Sequence, residues 1–229
     1  MTRILESFKN VVFPDLCVAC RVRRPQVEEE LCRSCFTHLP FLQLPEDATA
    51  TLAGKEQFPD EVARFYSLFY YTKESYVAEM VHYLKYDGLY KIGHYLGHLL
   101  WQKQLQSQDL SDYALVPVPI HPKKKKKRGY NQAEEIARGV SKVSGLPIIQ
   151  DLLIRKTDTA SQTKKDQGDR TEVLKHAFAL NPNHKGERPE KIILIDDVVT
   201  TGSTIAACTS KLIKISPEEI IVACLGVSI

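Results

Sequence analysis

Apolar residues in this chain fall into short unbroken runs and longer stretches of helical period. Ile192-Ile193-Leu194-Ile195 and Ile220-Ile221-Val222-Ala223-Cys224-Leu225-Gly226-Val227 are continuous, the pattern of parallel strands covered on both faces. Residues 64–71, the apolar beginning of 115–120, 152–157 and 178–180 read as further strands. Helical spacing predicts helices over 75–86, with Val77, Val81 and Leu84 inward, over 90–106, over 133–143, with Ile136 and Val140 on one face, and over 205–214. Gly88 ends the first of these, and Gly93-x-x-x-Gly97 in the second reads as a close packing surface. Residues 181–189 form a loop, 158–177 show little periodicity, and no internal repeat is visible. Strands alternating with helices define an α/β fold with an open, mainly parallel sheet.

The strand at 192–195 runs into Asp196-Asp197-Val198-Val199-Thr200-Thr201-Gly202-Ser203-Thr204. Open α/β sheets bind ligands at the carboxyl ends of their strands. Residues 200–204 offer backbone N–H groups, hydroxyls and the positive end of the following helix to an anion, and Gly202 allows close approach. Two acids beside such an anion suit a vicinal diol, so the stretch reads as a sugar-phosphate cradle. Three other readings share part of the pattern. A Walker B acid needs a G-x-x-x-x-G-K-[ST] loop that the chain lacks, and a phospho-acceptor acid usually lies on an early strand. A capped helix needs one hydroxyl and no acid pair.

The same stretch is similar to the phosphoribosyl diphosphate (PRPP) motif of the type I phosphoribosyltransferases, with four apolar residues, two acids and a Thr-Thr-Gly turn. That resemblance implies that Asp196 and Asp197 are catalytic and bind the ribose 2′- and 3′-hydroxyls. It gives the 5′-phosphate to Thr200, Thr201, Gly202, Ser203 and Thr204.

Cys17-x-x-Cys20 and Cys32-x-x-Cys35, with eleven residues between the pairs, supply a four-thiolate set of the kind structural Zn²⁺ prefers. Such a site is coordinatively closed, so its binding energy becomes folding energy. Paired disulfides or redox dithiols are the other reading, and His38 is a possible substitute ligand. Cys208 and Cys224 read as buried free thiols.

The 229 residues suffice for a full α/β domain and a zinc module. Expected boundaries are 1–45 for a helix (2–10) and the four-cysteine finger, 46–60 for a connector, and 61–229 for the main domain. No apolar run reaches the roughly 18 residues of a membrane span. Glu6 and Lys9 break up Ile4, Leu5, Phe8, Val11 and Val12, which reads as an amphipathic helix in place of a signal peptide. A cytoplasmic protein without membrane insertion is expected.

The formal charge of +3 is too small by itself to imply nucleic acid, but it is unevenly placed. Lys123, Lys124, Lys125, Lys126, Lys127 and Arg128 are consecutive, and Arg21, Arg23 and Arg24 form a second group. The first run follows Leu115-Val116-Pro117-Val118-Pro119-Ile120, whose prolines force an extended exit from a strand, and is expected to be a mobile, solvated loop. A lid over an anionic substrate, a contact for nucleic-acid backbone and a plain solvated charge run all remain open for it. His82, His94 and His98 lack partners at metal spacing and read as structural.

Nearly end to end, the order of cysteines, Lys85-Tyr86-Asp87-Gly88, Val116-Pro117-Val118-Pro119, Arg128-Gly129-Tyr130-Asn131-Gln132-Ala133-Glu134, Arg155 with Gln162, and the acid-Thr-Gly turn resembles the ComF family. This resemblance implies an N-terminal zinc finger joined to a type I phosphoribosyltransferase-like domain. It further implies a role in natural transformation, with Mg²⁺ and PRPP, single-stranded DNA, and a DNA-uptake helicase or recombination mediator as partners. Val118, Pro119 and residues 123–128 correspond in the family to diphosphate and flexible loops. Five successive lysines are more uniform than a catalytic loop needs, and no segment reads as a grip for a nucleobase.

Overall fold

The computed structural model describes residues 16–22, 30–43, 58–86, 90–156 and 176–228. The expected helix at 2–10, most of the connector, Arg23, Arg24, Gly88 and Gln162 lie outside them.

Four parallel strands form the main sheet in the order β1-β6-β5-β2: β1 (Val62–Tyr71), β2 (Tyr113–Pro117), β5 (Lys191–Val199) and β6 (Glu219–Ser228). The long apolar runs occupy the two central strands, where Ile192, Ile193, Leu194, Ile195, Ile221 and Val222 are fully buried. Shorter β3 (Leu153–Arg155) and β4 (Phe178–Leu180) pair antiparallel as a separate ribbon.

Among the described residues the α-helices, in chain order, are α1 (Arg33–His38), α2 (Tyr76–Tyr86), α3 (Tyr90–Leu100), α4 (Pro122–Arg128), α5 (Gln132–Ser144) and α6 (Ser203–Leu212). The helix expected over 90–106 is α3 followed by a wider turn at Trp101–Leu105, closed by a bond from the Gln106 N–H to the Trp101 carbonyl. The glycines of α3 do what their spacing suggests. A Cβ on Gly97 would lie 2.2 Å from the Ile136 carbonyl oxygen of α5, and one on Gly139 of α5 would lie 2.2 Å from that of His94. Backbone meets backbone along this crossing.

Segment 39–43 lies along the outer edge of β1. Phe41 bridges Phe69 antiparallel, the Leu42 N–H donates to the Leu68 carbonyl, and the Tyr70 N–H donates to the Pro40 carbonyl. This cover blunts an otherwise open sheet edge. Cys17, Val18, Ala19, Leu31 and Cys35 are buried in the same apolar core as β1, so the cysteine segment is packed onto the sheet.

One expectation is corrected: residues 122–128 form helix α4, not a loop. Like charge suggested solvation, but Lys and Arg are good helix formers and the ends are well made. His121 accepts from the Lys123 N–H as the N-cap, Pro122 opens the first turn, and Gly129 closes the helix in the left-handed region at φ 86°. Lys125 is neutralised by Glu134 at 3.2 Å, and Arg128 donates to Gln132 at 2.9 Å.

Candidate functional site

The acid pair sits on β5, the strand held between β6 and β2. β5 continues to Val199, so Asp196 and Asp197 lie inside its last turn of pairing and are fixed by it, with Asp196 opposite Cys224. Each carboxylate is oriented by the next peptide: Asp196 Oδ1 accepts the Asp197 N–H at 2.8 Å, and Asp197 Oδ1 accepts the Val198 N–H at 2.7 Å.

Lys85, at the end of α2, reaches across so that its Nζ lies 2.8 Å from Asp197 Oδ2. Burial works against this ammonium, but Asp197 and then Asp196 more than offset it and raise its pKa. Asp196 is half-buried. Burial first, and then the charge of Asp197, push its carboxyl up to about 7, against the Asp197 N–H, Lys85 and Arg155. Two carboxylates this close do not ionise with equal ease.

Beyond Val199 the chain turns through exposed Thr200 and Thr201 into Gly202, whose φ of 85° only glycine adopts cheaply. Gly202 is the N-cap of α6 and supplies no side-chain acceptor. Thr201 Oγ1 lies 2.7 Å from Ser203 Oγ and accepts a long bond from the Ser203 N–H at 3.4 Å. Asp196 and residues 198–205 line a small hollow of about 30 Å³. Hydroxyls, first-turn N–H groups and the helix dipole all converge on it.

The Pro-Val-Pro exit lies next to this site. The Val118 N–H donates to the Ile195 carbonyl at 2.8 Å, and the Val118 carbonyl accepts from Asn131 Nδ2 at 3.0 Å. Pro119 has no N–H. The Val118 N–H is therefore committed to β5, and Pro119 offers none to an anion. Asn131 Oδ1 also accepts the Ala133 N–H at 3.2 Å, so one buried amide ties the exit to the start of α5.

In α4, Lys124 and Arg128 are half-buried while Lys123, Lys125, Lys126 and Lys127 are exposed. Arg128 is near enough to Lys85 for its charge to oppose the ammonium. Lys85 and Arg155 have no site role on sequence grounds alone; the fold brings the charge of both to the acid pair. The sequence signal for Asn131 is its place before an apolar helical pattern, where an N-cap stands.

The sulfurs of Cys17, Cys20, Cys32 and Cys35 all lie within 4.8 Å of one another, with Cys20 and Cys32 at 3.9 Å. A tetrahedral ion with bonds of about 2.3 Å holds its sulfurs about 3.8 Å apart, so the set fits a metal such as zinc. All four are free thiols, too far apart here for disulfides. Burial pushes the Cys17 thiol up, but backbone N–H groups of Cys32, Cys20 and Ala19 lower it to about 7. Backbone donors of this kind favour the ligating thiolate. His38 is exposed, with its ring nitrogen 2.7 Å from the Ser34 carbonyl, and is not in the cluster. Cys208 and Cys224 are buried free thiols, as expected.

Residues 125–226 match the phosphoribosyl transferase domain family. The fold and the acid-turn site thus belong to a type I phosphoribosyltransferase-like protein. The chain is 36% identical over 108 residues to Competence protein F of Haemophilus influenzae, a match covering 47% of either chain. It is 27% identical over 224 residues to DNA utilization protein YhgH of Salmonella typhi, covering 93% of this chain and 96% of that one. It is 31% identical over 93 residues to Competence protein ComFC of Bacillus subtilis, covering 41% and 35%. Together with the domain match, these relatives support a ComF-family, type I phosphoribosyltransferase-like protein.

Proposed function

We propose that this protein binds PRPP with Mg²⁺ at Asp196, Asp197 and residues 200–204, binds single-stranded DNA along α4, and serves DNA uptake or utilisation in the cytoplasm. Relatives named for competence and DNA utilisation support the biological setting. The observation that carries the site is the juxtaposition, at the end of β5, of two peptide-oriented carboxylates with a turn whose N-cap is a glycine. The carboxylates accept from ribose hydroxyls, and the turn N–H groups and hydroxyls hold the 5′-phosphate. Lys85 and Arg128 keep the neighbourhood cationic where the diphosphate comes to rest. Oxygen donors of this kind suit Mg²⁺, which when bound to PRPP neutralises charge on the diphosphate. Transfer of the phosphoribosyl group to an acceptor is the reaction this arrangement would serve, with diphosphate leaving as charge builds on it. The cysteine set holds Zn²⁺ as a structural ion.

Calorimetric titration of Mg²⁺–PRPP into zinc-loaded protein tests the site. Binding that falls at least tenfold in a folded Asp197→Asn variant is expected. Absence of wild-type binding would overturn the site assignment.

A further inference from the structure

Lys123, Lys126 and Lys127 are exposed on α4, and among the described residues their ammonium groups have no partner, whereas Lys125 is held by Glu134. At about 1.5 Å per residue the helix is about 10 Å long, room for roughly three nucleotides stacked at 3.4 Å. Cations alone attract any polyanion. A second feature at the root of this helix narrows the choice.

Tyr90, the first residue of α3, is 46% exposed. Single exposed aromatics are ordinary, but this one is braced on two sides. Its ring meets Tyr130 edge-on at 6.3 Å and His94 at 5.9 Å. Both braces are themselves fixed, Tyr130 by a 2.7 Å bond from its hydroxyl to the Leu84 carbonyl and His94 by Glu135 at 2.7 Å. Tyr130 is also two residues from Arg128, the last residue of α4, so the exposed ring stands beside the end of the lysine row. A rigid aromatic platform next to unpaired cations is how proteins hold single strands: cations track phosphates, while the ring stacks on a base that a duplex would keep covered.

We infer that Tyr90 is a base-stacking residue of a single-strand path that runs along Lys123, Lys126 and Lys127. The inference rests on the single-strand reading of α4 given above. The two parts of the path have different signatures. Stacking is insensitive to salt, whereas each phosphate contact with a single strand adds about 0.7 to the slope of log affinity against log salt.

The test is binding of an oligothymidylate to the full chain across a salt series, with thermal unfolding used to confirm the fold of each variant. Tyr90→Ala is expected to weaken binding about fivefold or more with the slope unchanged. Tyr90→Phe should bind like the wild type, and a tryptophan placed by Tyr90→Trp should be quenched by the oligonucleotide beyond any change at Trp101. Replacing Lys123, Lys126 and Lys127 by alanine should lower the slope by about 2. A slope lowered by the lysine variant, with Tyr90→Ala at wild-type affinity and Tyr90→Trp unquenched, would overturn the stacking role and leave the DNA reading standing. Failure of the wild type to bind the oligonucleotide would overturn both.

Discussion

Replacing Lys85 with methionine removes one charge from the acid pair and keeps most of the side-chain stem in place. Lys85 Nζ and Asp197 Oδ2 are 2.8 Å apart, with side chains 27% and 15% exposed. At an effective dielectric of about 20 the direct attraction is about 6 kcal/mol, most of it offset by desolvation. Removing one partner of a fully buried pair costs about 3–5 kcal/mol, and surface pairs contribute about 0–1 kcal/mol. This pair lies between, nearer the buried limit, so a loss of about 2–3 kcal/mol at pH 8 is expected. The loss should shrink at pH 5. There Asp196, whose carboxyl titrates near 7 in the fold, is already protonated, and one carboxylate in place of two is left without the ammonium. Raising that titration by one unit adds about 1 kcal/mol to the loss at pH 8 relative to pH 5, and larger shifts add no more than about 1.4 kcal/mol in all, because at pH 8 wild-type Asp196 is only about one unit past its titration. Urea unfolding of the two proteins at both pH values measures this directly. A Lys85→Met midpoint equal to wild type at pH 8, or an equal loss at pH 5 and pH 8, would refute the account of Lys85 as the counter-charge of the acid pair.

Asp196 makes a prediction of its own. Its pKa is about 7 folded against an ordinary 3.8, so the folded state keeps a proton that the unfolded chain has lost. The stability this confers is complete below about pH 4 and is lost as pH rises towards 7. Asp196→Asn should therefore match wild type near pH 4 and exceed it by at least about 1.4 kcal/mol at pH 8 in chemical unfolding. Gly97→Ala drives a methyl into the Ile136 carbonyl and should lose about 3 kcal/mol by the same assay, because backbone on both sides cannot yield. Asn131→Ala removes the α5 cap and leaves the Val118 carbonyl without its buried donor. It should cost about 2 kcal/mol and weaken Mg²⁺–PRPP binding in calorimetry, since the segment bonded to β5 just before the acid pair is released.

The sheet, the acid pair, the hydroxyl turn and the cysteine cluster were legible in the sequence because each is local. A buried strand runs directly into its acids, and paired cysteines stand at ligand spacing. The glycines of α3 were legible for the same reason. What escaped depends on partners outside the segment itself. Six like charges read as a loop until Glu134 and Gln132, on the next helix, are seen to hold Lys125 and Arg128. Lys85 is an unremarked helix-terminal lysine until the fold carries it to Asp197. Segment 39–43 carries no sequence mark of its place on the edge of β1, which is a matter of backbone pairing.

The position of β6 has a consequence for the birth of the molecule. Among the described residues it alone joins β1 to the rest of the sheet, and Arg64 of β1 meets Glu219 of β6 across 155 residues of sequence. While the ribosome works through that interval, β1 must wait with its apolar faces formed and its proper neighbour unmade. Such distant pairing is slow, and waiting strands invite the wrong partner. Segment 39–43 is synthesised first and already fits one edge of β1, so the nascent chain carries its own guard on that edge until β6 arrives to take the other.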